Sequence, residues 1–249
     1  MLRSILGDIQ SSTTVGNPGT RDKWLADVAA QTPSNSSVLD VSAGAKPYES
    51  LWKHCHYFSH EFQGNEKIVD TFRGESEKDK KMESRHDFVG DISNTGAPSD
   101  KYDVVLLTEV LEHVPEPLLA IQELARVSKK GGNIYVTSPF TSGSHQQPYH
   151  FSAGYSPEWY QYAAKKYGLQ IVEIKSQGDF FKLSAQEMWR AFSCGGYPPG
   201  ADSKAVDTLV GYLSSYMLKL SSLHGDGSSD VAWCANQFTI GWMVHFRKI

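Results

Sequence analysis

This chain has little cysteine, no excess of positive charge and no long apolar run, and each shortage removes a class of function. Its three cysteines, Cys55, Cys194 and Cys234, are odd in number and far apart. That argues against a disulfide framework and against a zinc site built on paired thiolates, and leads us to expect a reducing, cytoplasmic setting. A formal net charge of −4 and a pI near 6.1 offer no basic field to a nucleic-acid backbone, so no nucleic-acid partner is expected. No stretch approaches the roughly 18 uninterrupted apolar residues that a spanning helix needs, and the N-terminal segment carries Arg3 and Asp8 but no signal-like apolar core, so no integral membrane insertion is expected. Glycine is also missing where a dinucleotide-binding turn would show three at fixed spacing. Ser42, Gly44 and Lys46 occupy the alternate positions, which serves a pyrophosphate poorly and a ligand without phosphates better.

What is present is an alternation of strand and helix signals in a chain whose 249 residues, 40% of them hydrophobic, can build one large domain. After a Ser-, Thr- and Gly-rich arm over 1–19, a short helix is expected from Arg21 to Ala30 with Thr20 as its cap. Strands are expected over Ser37–Val41, His56–Phe62 and Asp87–Asp91, with the charge run Glu75–Arg85 as a solvated insertion. Tyr102–Thr108 contains Val104, Val105, Leu106 and Leu107 in a row, as in a parallel strand covered on both faces. Apolar residues at Leu118, Ile121, Leu124, Ala125 and Val127 mark a helix that Gly131-Gly132 ends, and Asn133–Thr137 reads as the fifth strand.

Ser156-Pro157-Glu158 opens another helix, Leu169–Ile174 reads as the sixth strand, and Gln237–Phe246 alternates like a half-buried edge strand. Between the last two strands, a helical insertion over 179–230 is expected to hold two helices, Leu183–Phe192 and Ala205–Leu223. The second carries the apolar stripe Val206, Leu209, Val210, Leu213, Met217 and Leu220. This stripe is expected to pack on its own domain, with a substrate lid or a homodimer contact as the alternatives. The expected fold is therefore α/β, Rossmann-like: a seven-stranded, mostly parallel sheet with an antiparallel last strand and helices on both faces.

These segments and their local sequences resemble class I S-adenosylmethionine-dependent methyltransferases, particularly the group labelled type 11, from about Arg21 to Gly178. The motifs that carry the resemblance are Val38-Leu39-Asp40-Val41-Ser42-Ala43-Gly44 followed by Lys46-Pro47-Tyr48, and Tyr102-Asp103-Val104-Val105 leading to Thr108-Glu109-Val110-Leu111-Glu112-His113-Val114. The resemblance implies S-adenosylmethionine as cofactor. It assigns Asp40, Ser42 and Gly44 to the cofactor loop, with Asp40 fixing the loop's backbone. Glu61 is assigned to the ribose hydroxyls, Asp91 and Ile92 to adenine, and Thr108 and Glu109 to the methionine part.

His113 is the candidate general base, because imidazole titrates near neutrality, and it is needed only if the acceptor is a hydroxyl or similar group. A second resemblance, in His145-Gln146-Gln147-Pro148-Tyr149-His150-Phe151 before the Ser-Pro helix start, is to a subgroup acting on sugars and other cell-envelope or secondary-metabolite intermediates. It makes His145 a second candidate base and Tyr149 and His150 candidate acceptor contacts. The chain departs from that subgroup: His150 stands where Asp is usual, the following Arg is missing, and Ser152-Ala153-Gly154 lengthens the segment. Lys46 is expected to point to solvent. Together with Glu112 and His113, the residues His145, Tyr149 and His150 could imitate a metal cluster, but no tight ligand spacing supports one, so no metal is expected. The resulting expectation is O-methylation of a small molecule or glycan precursor; the alternative is a degenerate methyltransferase fold kept as a binding or assembly module.

Overall fold

The computed structural model describes residues 18–62, 85–195, 200, 202–224 and 237–249. The expected N-terminal arm and charge run fall almost wholly outside them. In chain order the elements are α1 (Pro18–Gln31), β1 (Ser37–Val41), a 3-10 turn (Glu49–Trp52), β2 (His56–Glu61), β3 (Phe88–Val89) and β4 (Tyr102–Thr108). A second 3-10 turn (Leu111–His113), α2 (Pro117–Val127), β5 (Ser128–Pro139), α3 (Pro157–Lys166), β6 (Leu169–Ser176), α4 (Phe180–Gly195), α5 (Ser203–His224) and β7 (Gly241–Lys248) follow. The seven strands form one sheet in the order β3-β2-β1-β4-β5-β7-β6, with β1 through β5 in parallel pairs. It is the Rossmann-like, mostly parallel sheet with antiparallel pairing at its end that the sequence leads one to expect.

The apolar run of β4 is explained by what covers it. Strand side chains alternate between faces, and here the odd residues Leu39, Val41, Val105 and Leu107 join Ile121 and Leu124 of α2 and Tyr160 and Ala163 of α3 in one buried cluster. The even residues Val38, Val104 and Leu106 join Leu25 and Ala29 of α1 and Trp52 in another. Burying each of these side chains contributes about 1.5–3 kcal/mol, so β1 and β4 hold both layers together.

Several boundaries differ from expectation for identifiable reasons. The chain is already helical at Pro18, so Thr20 stands inside the first turn of α1 and is not its cap. Gly131-Gly132 does not end α2; that helix stops at Val127, and the pair lies within β5, where the pairing with β4 jumps from Tyr102↔Ser128 to Val104↔Asn133. Gly131 has φ +78, and a Cβ on Gly132 would stand 2.8 Å from the Lys129 carbonyl oxygen. Both glycines are there for the bulge. β7 is not an edge strand: it lies between β5 and β6, which is why Met243, Val244 and Phe246 are buried.

By contacts the chain forms two compact units, Lys23–Lys175 with Trp242–Ile249, and Met1–Asp22 with Ser176–Gly241. In the second, α4 packs on α5, and the buried Asp179 links them. Its Oδ1 accepts from the Lys182 amide at 2.9 Å at the start of α4, while its Oδ2 accepts from the Ser221 hydroxyl of α5 at 2.5 Å. The face of α5 that is buried is Val210, Gly211, Ser214 and Ser221. Leu209 and Leu213 of the expected apolar stripe are exposed, 57% and 37%. Of the buried residues, Ser221 bonds directly to Asp179 at the start of α4.

Candidate functional site

At the carboxyl ends of β1 to β4, where open parallel sheets bind ligands, lies a cavity of about 400 Å3. It is wholly within the unit that holds the sheet. Ser42 and Gly44 line it from the loop after β1, Glu61 and Phe62 from the end of β2, Asp91 and Ile92 from beyond β3, and Glu109, Val110, His113, Val114 and Pro115 from the segment after β4. Gln146, Tyr149 and Phe151 close it from the loop after β5. The cavity thus gathers six of the eight expected cofactor residues, one of the two candidate bases and one of the two candidate acceptor contacts. Phe62, Val110, Val114, Pro115, Gln146 and Phe151 were not foreseen, although all but Pro115 directly follow residues that were.

The loop after β1 keeps a glycine-like path with a single glycine. Ser42, Gly44 and Lys46 have φ of 56°, 54° and 55°, three left-handed residues at alternate positions of which only one is glycine. The loop is held by hydrogen bonds from the Gly44 amide to Glu61 Oε2 (2.5 Å), from the Ala43 amide to the His60 carbonyl (2.9 Å) and from the Ser42 amide to His60 Nδ1 (3.4 Å). A Cβ on Gly44 would meet nothing within 4 Å, so the backbone there borders open space. Lys46 turns away: its ammonium donates to the Arg85 carbonyl at 2.6 Å, and it does not line the cavity. Glu61 accepts from Gly44 through one oxygen and from the Phe62 amide (2.9 Å) through the other; burial pushes its carboxyl upward against both bonds.

Asp40 and Thr108 do not line the cavity. Asp40 is buried beneath the loop, where Oδ2 accepts from the Tyr57 hydroxyl at 2.7 Å and Oδ1 has no partner among the described residues. Burial raises its carboxyl to about 7, with the Tyr57 bond opposing and Glu61 adding to the rise. Thr108 is paired with Thr137 in the sheet. Asp91 Oδ1 accepts from the Ser93 amide (2.8 Å) and hydroxyl (2.6 Å), which fixes a tight turn, and Ile92 beside it is buried. Glu109 is also left-handed, φ 54°; its amide donates to the Thr137 carbonyl (2.9 Å) and its Oε1 accepts from the Thr137 hydroxyl (2.8 Å).

His113 Nδ1 faces the Tyr149 carbonyl at 2.5 Å, which fixes the proton on Nδ1 and leaves the lone pair on Nε2. Burial holds its pKa down at about 4, the Tyr149 bond opposing and His145 and His150 adding to the fall, so the ring is neutral near pH 7. His145 and His150 do not line the cavity but flank His113, with ring centroids 4.8 Å and 6.1 Å from it. Tyr149 packs edge-on against Phe62, centroids 5.6 Å apart.

The charge of the lining decides which ligands fit. Three carboxylates, Glu61, Asp91 and Glu109, face the cavity, and no lysine or arginine among the described residues does. A pyrophosphate would meet like charge from all three, whereas a ligand with positive sulfonium and ammonium groups and two ribose hydroxyls finds an acceptor for each of these groups. S-Adenosylmethionine is such a ligand.

Residues 19–174 match the family described as methyltransferase domain. The chain belongs to this family. It is a class I S-adenosylmethionine-dependent methyltransferase. Solved structures similar to it include a candidate sarcosine dimethylglycine methyltransferase from Galdieria sulphuraria (18% identity, 92% of this chain and 85% of that chain, TM-score 0.51). A candidate methyltransferase from Bacillus halodurans (15%, 91% and 97%, 0.51) and a geranyl diphosphate methyltransferase in complex with S-adenosylmethionine (9%, 92% and 84%, 0.51) are also similar. At these identities the likeness is one of fold. In sequence, a ubiquinone biosynthesis O-methyltransferase of Vibrio cholerae is 49% identical over 37 residues, a match covering 15% of either chain. In this methyltransferase no helix of the described residues is long and apolar enough to cross a membrane.

Proposed function

We propose that this methyltransferase methylates a hydroxyl oxygen of a small molecule or glycan precursor. The observation that carries the reading is the state of His113: a neutral ring on the cavity wall, its Nδ1–H held by the Tyr149 carbonyl and its Nε2 lone pair left available. An amine acceptor needs little help to attack, but a hydroxyl must lose its proton as the new bond forms, and a positioned imidazole is suited to take it. His145 is the second candidate, its Nδ1 within 2.9 Å of the Gly143 carbonyl and its Nε2 thereby also left as an acceptor. The partial likeness to a ubiquinone biosynthesis O-methyltransferase agrees with an oxygen acceptor.

When bound, S-adenosylmethionine supplies a carbon already activated by its sulfonium, so the chain's own work is alignment, water exclusion and proton removal. In this reading Glu61 accepts from the ribose hydroxyls, each of its oxygens keeping a lone pair beyond the loop bonds. Asp91 and Ile92 hold the adenine, Glu109 orients the ammonium, and Ser42 and Gly44 form the floor. Asp40 supports that loop from below, and Thr108 anchors the strand end that carries Glu109. Tyr149 and His150 contact the acceptor. The test is to supply S-adenosylmethionine with a labelled methyl group to acceptor pairs that differ only in hydroxyl against amine, such as phenol and aniline or a hexose and its amino sugar. Label on oxygen, lost in His113→Ala, supports the reading; label on nitrogen alone overturns it.

A further inference from the structure

One imidazole suffices as a general base, yet the loop after β5 folds back on the turn after β4 to bring together more than that. Glu112, His113 and His145 each present one potential ligand atom, and these atoms lie within 4.8 Å of one another. Glu112 Oε1 is 3.7 Å from His113 Nε2, and the Glu112 side chain is 2% exposed. A tetrahedral zinc ion with bonds of about 2.0–2.1 Å sets its ligand atoms roughly 3.3 Å apart. The first pair is already close to that spacing, and the others reach it by side-chain adjustment of about an ångström or less at each residue.

The orientation of the rings carries the argument further. Metal-bound histidines characteristically donate the other ring N–H to a carbonyl or carboxylate, which fixes the tautomer. Here His113 Nδ1 is held by the Tyr149 carbonyl at 2.5 Å and His145 Nδ1 by the Gly143 carbonyl at 2.9 Å. Both Nε2 lone pairs are therefore left in the same small space as a buried carboxylate, three donor atoms that one cation could bind together. Beside them, with its ring centroid 4.9 Å from that of His145, His150 has a buried Nε2 with no hydrogen-bond partner among the described residues.

We propose that Glu112, His113 and His145 form a binding site for one divalent transition-metal ion, zinc by preference, with its open coordination position toward the cavity that His113 lines. Two imidazoles and one carboxylate are a ligand set that zinc and its neighbours in the first row accept, and that magnesium and calcium, which prefer all-oxygen sites, do not. The inference rests on the acceptor reading above and deepens it. An acceptor hydroxyl in the open position would be oriented by the cation and made more acidic, its proton passing to water, so His113 then serves as a ligand and the cation replaces the base. His150 is left to hydrogen-bond that oxygen.

The test needs neither cofactor nor acceptor. Untagged protein, stripped with a chelator and dialysed, is titrated with zinc against a chromogenic chelator. Folding of each variant is checked by circular dichroism and by S-adenosylmethionine titration. One equivalent of zinc per chain is expected, with affinity falling at least tenfold in both His145→Ala and Glu112→Gln and unchanged in His56→Ala. Cobalt in place of zinc should give the visible absorption of a tetrahedral site, lost in His145→Ala. Absence of stoichiometric binding, or binding that survives both substitutions in folded protein, overturns the site and leaves O-methylation standing. Zinc binding with label transferred only to nitrogen overturns the acceptor reading and leaves the site standing.

Discussion

Gly44→Ala and Ser42→Gly perturb the loop after β1 in opposite directions, and the structure sets the size of each effect. Both residues have left-handed φ, 54° and 56°. A side chain in that conformation costs roughly 1–2 kcal/mol, while glycine's extra freedom in the unfolded chain costs about 0.5–1 kcal/mol. Because a Cβ at Gly44 meets nothing within 4 Å, alanine adds conformational strain and no clash. The net expectation is a loss of about 0.5–1 kcal/mol for Gly44→Ala and a gain of similar size for Ser42→Gly.

In a chain of this size that is a fall and a rise in Tm of about 1–4 °C, measurable by circular dichroism. The added methyl group borders the cavity, so Gly44→Ala should also weaken S-adenosylmethionine about tenfold, or ~1.4 kcal/mol, by calorimetry. A loss above about 3 kcal/mol in Gly44→Ala would mean a clash, and destabilisation by Ser42→Gly would mean that Ser42 holds the loop by contacts rather than tolerating strain. Either result refutes the reasoning.

Asp40 gives a pH dependence of definite sign. Its folded carboxyl holds its proton up to about 7 while the unfolded one loses it near 3.8, so its contribution to stability is full below 3.8 and is lost as pH rises through 7. Asp40→Asn should therefore gain on the parent by about 2–3 kcal/mol between pH 5 and pH 8 in urea unfolding; an equal difference at both pH values would contradict this. His60, fully buried, has the opposite slope: burial lowers it to about 4, so stability is full above 6.5 and falls as pH drops toward 4. His60→Asn should lose acid sensitivity by up to about 3 kcal/mol over that range, and an unchanged acid limb in the unfolding curve would refute it.

The parts of the fold legible in the sequence were those whose pattern comes from covering layers. β1 and β4 have the expected bounds because both faces are buried, and α3 starts where Ser156 accepts from the Trp159 amide with proline at the first helical position. What misled were glycines and edges. Gly131-Gly132 looks like a helix stop and is a strand bulge, and the alternation of β7 looks like an edge although the sheet order puts β6 outside it.

At the site, residues at strand ends were legible because topology fixes where those ends meet. The exchange of glycine for Ser42 and Lys46 reads as a change of ligand class, but the backbone keeps the left-handed turns and only the side chains differ. The grouping of Glu112, His113 and His145 was legible but its closeness was not: with no tight ligand spacing in the sequence, only the folding of the second loop against the first makes them neighbours.

On the proposed reading, the carboxylate-lined cavity at the ends of β1 to β4 binds S-adenosylmethionine through this chain's own acids. The most direct measurement is calorimetric titration with S-adenosylmethionine and S-adenosylhomocysteine of the parent protein, Glu61→Ala, Asp91→Ala and, as a surface control, Glu173→Ala. Saturable binding at one site is expected, weakened at least tenfold in Glu61→Ala and Asp91→Ala and unchanged in Glu173→Ala. Binding that is indifferent to both cavity acids, or none in a folded parent protein, would contradict it.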